Sequence, residues 1–151
     1  MRSFSLSVRL WRWRAAVAEA MVFASLARFL IRFVPFKLWR PSLGHIAGSG
    51  CKFEKGDGLE TASRLAKAVN RGADLLPAET ICLPRAMALQ WMLARRGHPS
   101  SLVFGILSGT EIQGDRELHA WIECDGVIVL GADEDNLWRP GLALHQAGIL
   151  K

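Results

Sequence analysis

A thiol, an imidazole and a set of carboxylates follow one another in this chain in an order that suits nucleophilic catalysis. Cys82 stands in Thr80-Ile81-Cys82-Leu83-Pro84-Arg85, a segment whose pattern predicts the opening of a helix that runs to Arg96 and closes on Gly97. Pro84 falls in the first turn, where its missing N–H costs nothing. At a helix start the unpaired backbone N–H groups and the positive end of the dipole favour an anion, which makes a thiolate available there. Sulfur is nucleophilic as thiolate, imidazole takes and returns a proton near neutral pH, and a carboxylate fixes the ring's tautomer and orientation. The competing reading makes Cys82 a buried core residue and His119 a satisfied strand histidine.

The elements that must position these groups follow from periodicity. After Gly97 the pattern alternates: Ser101 to Leu107, Leu118 to Cys124 and Val127 to Gly131 read as strands. Asp125-Gly126 between the last two is a strong hairpin signal. A two-residue loop sets Cys124 opposite Val127 and pairs His119 with Ala132, so an acid near residue 132 lies beside His119 on the neighbouring strand. Cys at a helix start, His on a strand and an acid on the next strand is how papain-like and transglutaminase-like folds build a triad.

The rest of the chain reads as an arm and a body. Eight basic residues and one acid in residues 1–40 give a net +7, whereas the remaining 111 residues carry eleven bases and thirteen acids. The basic character therefore belongs to the arm, and a general nucleic-acid-binding function loses its support. From Leu10 to Val34, apolar residues at Leu10, Trp13, Val17, Met21, Ala24, Ile31 and Val34 predict an amphipathic helix that Pro35 ends. Aromatic residues interleave with its arginines, a composition suited to packing on the body, to peripheral contact with an anionic membrane, or to docking a partner. Residues 41–58 read as an irregular connector. Leu59 to Asn70 reads as a second helix, with Leu59, Ala62, Ala66 and Val69 on one face.

Half the residues are hydrophobic and 22% are charged, at a length of 151 residues. That predicts one compact domain, with an arm over residues 1–44 and a core over 45–151. Three cysteines in no tight spacing do not read as a disulfide framework, so a cytoplasmic setting is expected. Glu19 and Arg28 interrupt the apolar run of the arm, which argues against a membrane span. Cys51, Cys124, His45, His98 and His145 have no metal-ligand spacing, so no metal site is predicted. Trp91 and Trp121 read as core or cleft-lining. Arg85 reads as a support for the thiolate, a substrate contact or a solvated helix residue. No Gly-rich phosphate loop is present, and no directly bound cofactor is expected.

The stretch CLPRAMALQWMLARRGHPSSLVFGI followed by ELHAWIECDGVIVLG resembles the leader-peptidase (B) proteins of lasso peptide biosynthesis, a transglutaminase-like cysteine protease family. The upstream LARFLIRFVPFKLWRPSLG is similar to that family's N-terminal helix and its Pro-Phe exit. The resemblance runs from about Leu26 to Trp138. It implies an α+β fold with a transglutaminase-like, papain-like cysteine protease core, N-terminal helices packing with a small antiparallel sheet. It makes Cys82 the nucleophile and His119 the general base. It takes Asp133 as the orienting acid, with Asp135 and Asp125 as weaker candidates. A strictly regular ladder would point Asp133 away from His119, so this assignment needs a twist or bulge at the strand end.

The implied reaction is hydrolysis of one peptide bond in a ribosomally made precursor peptide, separating leader from core. In the family an ATP-dependent macrolactam synthetase then uses the freed amine, so any ATP requirement enters through that partner. Some members carry a leader-recognition domain. This chain has no room for one, so it resembles the split form and should need a separate leader-binding recognition protein. Two rival functions use the same scaffold: another acyl-transfer enzyme, such as an amidase or a transglutaminase, and a non-catalytic adaptor that presents the precursor to the synthetase.

Overall fold

The computed structural model describes residues 2–46, 58–77, 82–107, 118–132 and 138–147. Its first element, α1 (Arg2–Phe33), is a 32-residue helix. It begins well before Leu10, because no Gly or Pro interrupts residues 2–34, and it ends where Pro35 disfavours helical geometry at the preceding residue. One helical turn, α2 (Phe36–Trp39), and a 3-10 turn (Arg40–Leu43) lead to the short strand β1 (His45–Ile46). Helix α3 (Gly58–Asp74) and helix α4 (Cys82–Ala94) follow, then β2 (Ser100–Leu107), β3 (Leu118–Cys124), β4 (Val127–Leu130) and β5 (Trp138–Gln146).

The face that α1 buries matches the expected one only in part. Val17, Ala20, Ala24 and Ala27 are buried, whereas Leu10, Trp13 and Ile31 stay exposed. Alanines at this seam let α1 lie close against α3 and α4, with which it packs. The opposite side of α1 carries a second apolar row at helical spacing: Trp11, Ala15, Ala18, Val22, Leu26, Phe29 and Phe33, all exposed. Among the described residues no helix is long and apolar enough to cross a membrane.

Helix α4 is the centre of the core. Nine of its residues are buried, from Pro84 to Ala94, because α1 and α3 cover it on one side and β2 and β3 on the other. A helix apolar on all sides must be enclosed in this way. It closes on Gly97, at φ +77°, with Gly97 N–H bonded to Ala94 O and His98 N–H to Leu93 O, both at 3.0 Å; this is a Schellman cap.

The sheet is antiparallel throughout in the order β1-β5-β2-β3-β4. The β3–β4 hairpin turns at Asp125 and Gly126 with φ of 51° and 75°, the positive pair that a two-residue turn matching strand twist requires. Strand β5 was not legible in the sequence. Its Pro140 and Gly141 oppose strand formation by propensity, but they fall where the β2–β5 register slips between Phe104 and Gly105. The bulge absorbs Gly141, and tertiary pairing overrides propensity. The helices therefore cover one face of a five-stranded sheet, an α+β arrangement as expected.

A buried amide joins the layers. Gln90, fully buried on α4, donates from Nε2 to Leu43 O of the 3-10 turn and to Leu144 O of β5, both at 3.1 Å. Replacing Gln90 by Leu keeps the volume but strands two buried carbonyls, so the variant should lose roughly 1–3 kcal/mol. Urea unfolding of the two proteins measures this, and a change under about 0.5 kcal/mol would show the carbonyls to be otherwise satisfied.

Candidate active site

Cys82 opens α4 and is half-buried against the apolar cluster; like Cys124, it is a thiol. His119 is the second residue of β3 and half-buried. The two elements pack on each other, while their side chains belong to different rows. Ala120, Ile122 and Cys124 join the core cluster together with α4. Strand alternation sets His119, Trp121 and Glu123 on the other row.

That second row is tightly connected. The His119 ring stacks between Trp121, centroids 6.0 Å apart, and Trp138, 5.4 Å apart. Trp121 donates from Nε1 to Glu123 Oε1 at 2.8 Å. Its six-membered ring lies over Gly105 of β2, where a Cβ would come within 2.3 Å of it. Gly105 is the residue opposite His119, so the absence of a side chain there is what leaves room for the indole.

His119 Nε2 lies 2.7 Å from the carbonyl oxygen of Gly131. A carbonyl only accepts, so Nε2 carries the hydrogen and the neutral ring keeps its lone pair on Nδ1. Nδ1 is thus the atom able to take a proton. The orienting partner seen among the described residues is a main-chain oxygen, not a carboxylate. Gly131 holds that oxygen in place with φ +80° and with Ala120 O 2.9 Å from where a Cβ would stand.

Asp133 and Asp135 lie outside the described residues, as does Cys51. The β3–β4 ladder does show a slip: Cys124 pairs with Val127 and Glu123 with Ile128, but Ile122 pairs with Leu130. Regular pairing would have set Ile122 opposite Val129 and His119 opposite Ala132. The slip is of one residue. Asp125 sits in the exposed turn, six residues along β3 from His119 and thus about 20 Å away, too far to orient the ring.

Other residues singled out in the sequence have structural partners. Arg85 bonds Asp74 at 3.2 Å and Asn70 at 3.3 Å, tying α4 to α3. Trp91 donates to Ser42 O at 3.1 Å and meets Phe23 edge-on. Cys124 is buried in the core. His45 faces His145 across the β1–β5 pair. Gly131 and Trp138 were missed in the sequence. The His-x-Trp spacing signalled only Trp121, and Trp138 could not be placed without β5.

A profile described as the Transglutaminase-like superfamily matches residues 30–139, well over half of the chain. The chain belongs to the transglutaminase-like superfamily. The match spans α4 with Cys82, β3 with His119 and the segment that holds Asp133. Cysteine-based peptide cleavage and acyl transfer are the activities that this scaffold commonly carries. Neither a curated protein nor a solved structure matches the chain.

Replacing Gly131 by Ala should displace the carbonyl that holds His119, because the new Cβ meets backbone and the φ is positive. The expected cost is roughly 1–3 kcal/mol. It should read out as a lowered melting temperature together with loss of the hydrogen-bonded His119 Nε2–H proton resonance. An unchanged resonance would mean that Gly131 does not fix the tautomer.

Proposed function

We propose that the protein is a cysteine peptidase that removes the leader from a ribosomally synthesised lasso peptide precursor before macrolactam formation. The observation that carries this reading is the held imidazole: a histidine fixed through Nε2, with Nδ1 able to accept a proton, on the strand against which the cysteine-bearing helix packs. Superfamily membership supports thiol chemistry, and the paired segments CLPRA and HAWIECDG support the leader-peptidase class.

In this mechanism His119 takes the Cys82 thiol proton at Nδ1, and the sulfur attacks the scissile carbonyl carbon. Backbone N–H groups at the start of α4 stabilise the oxyanion; Pro84 cannot contribute, so Cys82 and Leu83 supply them. The C–N bond breaks as the imidazolium gives its proton to the leaving amine, which departs with the core peptide. Water, deprotonated by His119, then hydrolyses the thioester and frees the leader's carboxylate. Asp133 assists Gly131 O in orienting the ring. A separate recognition protein binds the leader, and an ATP-dependent synthetase consumes the new amine.

The test is incubation of precursor with the recognition protein and this chain, followed by mass spectrometry. Wild type should release leader and core with the addition of one water. Cys82→Ala should give no product, His119→Ala should slow cleavage by on the order of 10²–10⁴, and Asp133→Asn should slow it less. Products joined without added water would point to a transfer enzyme. Equal cleavage by wild type and Cys82→Ala, or none by either with the recognition protein bound, would make the chain an adaptor.

A further inference from the structure

A cavity of about 570 Å³ opens between the N-terminal half of α1, α3 and the end of α4, away from the cysteine and histidine. Four arginines from these three places line it: Arg9 and Arg12 of α1, Arg64 of α3, and Arg96 just after α4. Trp13 and Leu10 add an apolar wall. None of the lining residues is acidic. Ion pairs of the described residues include Arg85–Asp74, Arg95–Glu19 and Arg96–Glu19. Glu19 thus partly neutralises Arg96 from outside the cavity, and Arg9, Arg12 and Arg64 enter no ion pair among the described residues.

Gathering like charges around one hollow costs Coulomb energy that a bound anion would reverse. Guanidinium groups grip phosphoryl oxygens in a planar, bidentate manner. An indole beside them offers a flat face for an aromatic ring. The volume falls within the range of small-molecule sites. We infer that this cavity binds a phosphorylated ligand with a flat ring, of the nucleoside di- or triphosphate class, its phosphates on the arginines and its ring on Trp13. The site is made by convergence of three helical segments, which is why the sequence shows no phosphate-binding loop. The inference does not depend on the proposed peptidase activity.

Thermal unfolding of the full chain tests it, with ADP, pyrophosphate and adenosine as probes. ADP in large excess should raise the melting temperature by about 5 °C, pyrophosphate by less, and adenosine not at all. The ADP shift should shrink as NaCl is added. It should vanish in the Arg12→Ala/Arg64→Ala double variant and persist in Arg14→Ala/Arg32→Ala, which removes two exposed arginines of α1 that do not line the cavity. No shift with ADP or pyrophosphate, or equal loss in both double variants, would overturn the site. Equal shifts with ADP and pyrophosphate would overturn the role given to Trp13.

Discussion

The amide of Gln90 sits where three parts of the molecule meet. Its two hydrogen bonds reach the 3-10 turn before β1 and the strand β5 at once, so the axial position of α4 is referenced to two segments far apart in the chain. Ser42 O of the same turn receives bonds from Trp91 of α4 and Gln146 of β5. Nine of the thirteen residues of α4 are buried, and the helix can slide only by breaking this set. Cys82 lies eight residues before Gln90 on the same helix, and a displacement along the helix axis would carry the thiol with it.

The histidine is held by a different part of the structure. Its strand is anchored by the apolar row against α4, while the ring is fixed by Gly131 O and by two tryptophans from β3 and β5. Strand β5 thus has two roles, bonding Gln90 near one end and stacking on His119 near the other. The cysteine-bearing helix and the imidazole are thus referenced to the same strand by separate contacts.

The legibility of these features in the sequence follows physical lines. Cys82 at a helix start, the Asp125-Gly126 hairpin and the Gly97 stop could be read because each depends on local backbone chemistry. The strand β5 could not, because pairing with β2 and a bulge hold Pro140 and Gly141 in a strand that local preference rejects. The buried row of α1 was read only in part. An alanine seam carries little hydropathy signal, and the larger residues drew attention to the wrong side. Gly131 was invisible as a site residue because its contribution is a main-chain oxygen, which any residue possesses and only this backbone geometry aims.

The two apolar rows of α1 share no residue. The inner row of Val17 and alanines supports the fold, whereas Trp11, Val22, Leu26, Phe29 and Phe33 on the outer row touch none of it closely enough to be buried. Colloidal behaviour and conformational stability are therefore governed by separate sets of positions on one helix. Polar replacements along the outer row can change how readily molecules adhere to one another while leaving the denaturant midpoint where it was.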